Sequence, residues 1–144
     1  MRKRLLGCMS LALISAQAMA EPTFVQRLEG AAAACSITGA GLSTEAFLAR
    51  RDYGERSAKY KKAIDKAYKE SQECVDTGKP KLKPYVKDEI EKYPQLKPAI
   101  TDAYAAWLGY MDWLSTPRDY ADESAEKRNY EAAINKLKAE IDVM

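Results

Sequence analysis

Residues 98–114 read PAITDAYAAWLGYMDWL, and the fold turns on them. Ile100, Tyr104, Trp107, Leu108, Met111 and Leu114 recur at three- and four-residue steps, the period of one helix face. Ala103, Ala106, Tyr110 and Trp113 make a second apolar face, and only Asp102 and Asp112 carry charge. A helix that is apolar nearly all round is either central in a bundle or keeps one face for a partner. Pro98 suits the first turn of such a helix, where its missing N–H costs no hydrogen bond.

Working back toward the N-terminus, Leu96-Lys97-Pro98 repeats Leu82-Lys83-Pro84 at a distance of fourteen residues. The two copies predict two helix starts, with a short helix over residues 84–92 and a break at Tyr93-Pro94. Before them, Tyr60, Ile64, Ala67, Tyr68, Ser71 and Val75 mark one stripe of a long helix over 55–75. Thr77-Gly78-Lys79-Pro80 is expected to stop it. Lys59, Lys62, Lys66 and Lys69 form a second stripe, and Asp65 precedes Lys69 by four residues, the favoured order for a helix ion pair. A first helix is predicted over 23–37 from Phe24, Leu28, Ala31 or Ala32, and Cys35, ended by Thr38-Gly39-Ala40-Gly41. A short helix over 43–51 follows, and Tyr53-Gly54 breaks it.

Beyond Leu114, Thr116-Pro117-Arg118-Asp119 predicts the opening of the last helix: a threonine cap, a proline in the first turn and an acid three residues on. Ala125, Tyr130, Ala133, Ile134, Leu137 and Ile141 supply its apolar positions. No segment alternates as a strand does. The expectation is an all-α fold, a small antiparallel bundle of four to six helices in one domain over residues 21–144.

Residues 1–20 read as a secretory signal peptide: a basic start at Arg2-Lys3-Arg4, an apolar run over 5–14, and Ala18-Met19-Ala20 before Glu21. Leu5-Leu6-Gly7-Cys8 resembles a lipoprotein acylation motif, but most of the apolar run follows Cys8 instead of preceding it. Export to the periplasm or the outside places Cys35 and Cys74 where they can pair, and a disulfide between them is expected to staple the bundle. Without residues 1–20 the chain holds 20 Lys/Arg and 21 Asp/Glu, which is not the balance of a nucleic-acid binder. No apolar run after the leader is long enough to span a bilayer. Residues 50–97 carry 14 Lys/Arg against 9 Asp/Glu, and residues 102–144 carry 5 against 9. Two such segments either pack together or leave a basic face for an anionic partner.

The chemistry is bounded by what is missing. The chain has no histidine, so His-based triads, c-type haem attachment and the common zinc sites are excluded. It has no phosphate-binding loop, dinucleotide fingerprint or EF-hand loop. Asp119, Asp122, Glu123 and Glu126 share a helical face, but acids belong in a first helical turn, opposite the positive end of the helix dipole. No cofactor, no metal and no enzymatic activity is expected. Tyr110 and Trp113, off the main stripe and beside Asp112, are the first candidate contact patch, because Tyr and Trp dominate binding hot spots. Lys59, Lys62, Lys66 and Lys69 are the second. The expected role is an exported binding protein for another protein, such as an inhibitor or an immunity protein that neutralises an envelope-targeted toxin. The alternative is a chaperone-like or envelope-stress protein, although the L-T-x-x-Q repeats of one helical periplasmic chaperone family are absent. A homodimer through the second face of residues 103–113 is open.

Overall fold

The computed structural model describes residues 21–118 and 124–144. It holds four α-helices: α1 (Phe24–Tyr53), α2 (Ala58–Lys92), α3 (Lys97–Leu114) and α4 (Ala125–Asp142), with a single 3₁₀ turn at Pro94–Leu96 ahead of α3. Among the described residues there is no strand. The helices run alternately up and down. α1 packs chiefly on α2 and α3 on α4, while α3 also bridges to both α1 and α2.

Each start has a local cause. At α1, the Thr23 hydroxyl accepts from the Gln26 amide at 3.2 Å, and the Gln26 side chain accepts from the Thr23 amide at 2.9 Å, a reciprocal capping box. Ser57 caps α2 through the Tyr60 amide at 3.1 Å. α3 opens with Pro98 in its first turn, as the Leu-Lys-Pro reading expects. Gly54, at φ 82°, makes the break between α1 and α2; this left-handed conformation is cheap only for glycine.

Three expected boundaries are corrected. Gly39 and Gly41 do not end α1, which runs through them to Tyr53, so the separate helix over 43–51 does not exist. Each glycine weakens the helix by about 1 kcal/mol, but Leu42 and Ala46 beyond them are buried, and that packing carries the helix on. Nor does Thr77-Gly78-Lys79-Pro80 end α2, which passes through both Pro80 and Pro84. The prolines are four residues apart on the solvent side, so the carbonyls they leave unbonded, those of Asp76 and Pro80, sit on exposed residues. On the other side Val75 and Leu82 are buried, with Val86 and Ile90 packed on the core. Gly78 is a close-approach residue: a Cβ there would lie 3.2 Å from Met111 Cε. Finally, α4 opens at Ser124, whose hydroxyl accepts from the Lys127 amide at 3.0 Å, and not at Thr116; Pro117 and Arg118 are non-helical.

The core draws on only part of α1 and α2. It joins Phe24, Val25, Leu28, Ala32 and Cys35 of α1 and Val75 and Leu82 of α2 to the buried faces of α3 and α4. Trp107 is its centre: fully buried, its indole N–H donates to the Leu28 carbonyl at 3.0 Å. No residue between 36 and 73 belongs to this core. The register explains why. Gly78 meets Met111 and Lys79 pairs with Asp112 across antiparallel α2 and α3, so Leu114 ends at the level of Val75. The Trp107–Leu28 bond places the same end beside Cys35.

The expected Cys35–Cys74 disulfide forms at that level, with the Cα atoms 5.7 Å apart. Beyond it, among the described residues, α1 and α2 continue without a third helix as a two-helix arm about 25 Å long. Its inner ladder is small: Gly39, Leu42 and Ala46 of α1, Ala67 and Ser71 of α2. The Ser43 and Ser71 hydroxyls are buried there without hydrogen-bond partners. Such an interface buries little apolar area and leaves polar groups unpaired, so it holds weakly on its own.

The arm should therefore depend on the bridge more than the base does. In Cys35→Ala/Cys74→Ala, global stability should fall by about 4 kcal/mol in the chain-entropy model for a loop of this length. Amides of residues 36–73 should lose hydrogen-exchange protection well before those of α3 and α4. Uniform loss through all four helices would show instead that arm and base unfold as one unit.

Candidate functional site

The first candidate patch is mostly core. Tyr110 is 6% exposed, stacked on Tyr130 at 5.4 Å between ring centroids and on Trp113 at 5.9 Å. The expectation that it faces a partner is corrected: α4 crosses α3 on this second apolar face and covers it. Trp113 is half-buried against the core, with the Arg118 guanidinium 5.1 Å from its ring centre and the Arg118 Nε–H donating to its carbonyl at 3.0 Å. Asp112 is exposed and pairs with Lys79 of α2. These three residues join α3 to α4 and α2.

The Tyr110–Tyr130 stack carries a titration consequence. The Tyr130 hydroxyl is buried and has no hydrogen-bond partner. Burial first, then the nearby Glu29 charge, raises its pKa well above the ordinary phenol value. Tyr104 is raised as well, by burial alone.

The second candidate set lies on the arm. Lys59, Lys62, Lys66 and Lys69 are all exposed on one side of α2. Lys66 bonds Glu45 of α1 at 2.9 Å, and this bond and the carboxylate charge raise its pKa. The Lys59 ammonium sits 3.8 Å from the centre of the Tyr53 ring. Lys69 turns to Glu73 at 3.8 Å, not to the expected Asp65. Lys62 makes no ion pair among the described residues. Among the described residues one ion pair, Lys79–Asp112, joins the basic segment to the acidic one, because α3 and α4 stop short of the arm.

The residues that the sequence reading missed are apolar. Five large apolar or aromatic side chains stand out on the arm: Ile37 (74% exposed), Phe47 (59%), Tyr68 (52%), Tyr53 and Leu48. No charged residue occurs between Glu29 and Glu45. That run was the one available signal, since a helix without charge over so many residues is either buried or kept for contact.

A cleft of about 750 Å³ lies at the opposite end, between the start of α1 and the ends of α2 and α4. Its cations are already engaged. Arg27 pairs with Glu21 at 2.8 Å and lies over the Tyr85 ring at 4.1 Å; Lys92 lies over Tyr93; Lys138 pairs with Glu29 at 2.6 Å. Among the described residues no group of three or more His, Cys, Asp or Glu is arranged to hold a metal. Of the acidic helix face, Glu126 lies in the first turn of α4, and Asp119, Asp122 and Glu123 fall outside the described residues. No helix among the described residues is long and apolar enough to cross a membrane. Comparison of the chain with protein-family models, curated proteins and solved structures finds no match.

Tyr130 gives a test of the α3–α4 seam. Its folded-state pKa lies above the unfolded value of about 10, so its contribution is intact below pH 10 and is lost as pH rises above that, where only the unfolded chain ionises freely. Tyr130→Phe should match or exceed the parent at neutral pH, by up to about 1 kcal/mol, because an unpaired hydroxyl is removed. Its advantage in thermal melting should widen above pH 10. A clear loss at neutral pH would mean that the hydroxyl is bonded in solution.

Proposed function

We propose that this chain is an exported, non-enzymatic binding protein that engages another protein through the α1–α2 arm. The observation that carries this reading is the concentration of exposed Ile37, Phe47, Leu48, Tyr53 and Tyr68 on a two-helix projection. Exposed apolar side chains gathered in one region mark contact surfaces, whereas isolated ones need no explanation. The base supports the arm: its buried Trp107 and the Cys35–Cys74 bridge fix the root from which the projection leaves. Exposed lysines share the arm with these apolar residues, so its surface mixes charged and apolar groups as non-obligate interfaces do. An inhibitor or immunity protein that occupies a toxin's surface is one concrete form of this reading.

A second reading, a chaperone-like envelope protein, draws on a different detail. Ile37 and Leu48 point away from α2, whereas Phe47 and Tyr68 flank the groove between the helices. Apolar side chains on two faces suit many loosely held clients as well as one partner.

The test is a pull-down with the tagged chain, lacking residues 1–20, from an envelope extract of its own organism. Phe47→Asp/Tyr68→Asp serves as the arm variant after its helicity and melting are checked. One stoichiometric partner, lost in the variant, is the expected result. A broad set of envelope proteins lost in the variant would favour the chaperone reading. Capture unaffected by the variant, or no capture, would overturn the assignment to the arm.

A further inference from the structure

The groove between α1 and α2 is filled by α3 in the base and by nothing described in the arm. On α2, Lys79 and Leu82 face α3; Lys79 pairs with Asp112, and Gly78 beside it meets Met111. At about 100° per residue, the same face continues up the arm as Val75, Ser71, Tyr68, Ile64 and Lys61. On α1, Val25 and Glu29 lie on this side, with Glu29 bonded to Lys138 of α4 at 2.6 Å. That face continues as Ser36, Ala40, Ser43, Phe47 and Arg51. The Glu45–Lys66 and Tyr53–Lys59 contacts fix the antiparallel register of the arm, and they lie on its other side. Phe47 and Tyr68 thus border one groove from opposite helices, about one turn apart along the arm.

We propose, resting on the binding role assigned to the arm, that this groove receives an amphipathic helix with acidic flanks from a partner protein. Three observations define that occupant. Its shape follows from α3, a helix that already lies in the same groove lower down and ends at the level of the disulfide. Its apolar face follows from the lining. The small, partly exposed Ser36 and Ala40 leave shallow holes on the floor above the buried Ser71, and the half-exposed rings of Phe47 and Tyr68 form the walls. Large aliphatic side chains fill such holes, as in coiled coils.

Its charge follows from the rim. Lys61 of α2 and Arg51 of α1 stand at the edges of the groove. Arg51 bonds its neighbour Asp52 at 2.7 Å, but both groups are exposed and water screens that pair. Asp65, one turn after Lys61, projects farther from the groove than Lys61 does and faces water, and on α1 Glu45 lies on the far side with Lys66. The same rim disfavours a second copy of this chain. Two grooves packed face to face with the arms parallel would bring Lys61 and Arg51, both near the tip, against their own counterparts, and like charges across an interface oppose association.

Two labelled helix-forming peptides of about 18 residues, the length of α3, test the proposal. Both carry the same leucine stripe; one is flanked by glutamates and the other by lysines. Binding to the full disulfide-bonded chain is read by fluorescence anisotropy. The glutamate peptide should bind one-to-one, and the lysine peptide at least about fivefold more weakly, the scale of a few exposed charge pairs. Phe47→Asp/Tyr68→Asp should weaken the glutamate peptide by at least about tenfold, as loss of an aromatic hot spot does. Ala105→Asp/Ala132→Asp, exposed on α3 and α4 of the base, should leave its affinity unchanged. Failure of both peptides to bind, equal affinity for both, or binding indifferent to Phe47 and Tyr68 would overturn the proposal. So would self-association of the chain that competes with the peptide. If the peptides fail while the pull-down still finds an arm-dependent partner, the binding role stands and only the acidic-helix occupant falls.

Discussion

The bridge between Cys35 and Cys74 divides this molecule. Below it, four helices share one core around Trp107; above it, among the described residues, two helices pack only on each other. The division is a matter of length. α1 and α2 have 30 and 35 residues, whereas α3 and α4 have 18 each. Short helices can cover only about half of the long pair, and the remainder must be held by its own seam. That seam is built from Gly39, Ala46, Ala67 and Ser71, which let the helices approach closely but bury little apolar surface. A covalent link at the root of such an arm limits the states open to the two helices when they separate.

The base is built the opposite way. Trp107, Met111, Leu114, Ile100 and Leu137 are fully buried, and the Tyr110–Tyr130–Trp113 stack closes the seam between α3 and α4. Large rings pack on large rings, and the indole N–H finds a backbone carbonyl, as buried polar groups require. This contrast assigns different roles to aromatics that look alike in sequence. Tyr110 and Trp113 belong to the core, while Phe47, Tyr53 and Tyr68 are presented to solvent. A base with large buried rings and a weakly sealed, apolar-edged arm suits the contact role proposed above.

Charge follows the same division. The basic segment over 50–97 supplies most of the arm, and the described part of the segment over 102–144 lies in the base. Among the described residues one ion pair, Lys79–Asp112 near the root, joins the two. The lysines of the arm are balanced only locally, by Glu45 and Glu73 or by the ring of Tyr53, so the surface keeps a mixed, partly basic character at the place where its apolar side chains emerge.

The sequence by itself determined the helices as a class, the apolar stripes of α3 and α4, the break at Gly54, the start at Pro98 and the pairing of Cys35 and Cys74. These depend on period, composition and local backbone chemistry, which neighbouring residues express without help. Tertiary structure decided where the helices end and which faces stay open. Gly39, Gly41, Gly78, Pro80 and Pro84 all carry local stop signals, yet the helices run through them. Packing of Leu42, Ala46, Val75 and Leu82 outweighs those local costs, and Gly78 serves Met111. In the same way Tyr110 and Tyr68 each lie on an apolar face of a helix, and neither position reveals whether a third helix will cover it. That depended on the axial register of α3 against α1 and α2, a long-range quantity set by side-chain fit that no local pattern encodes.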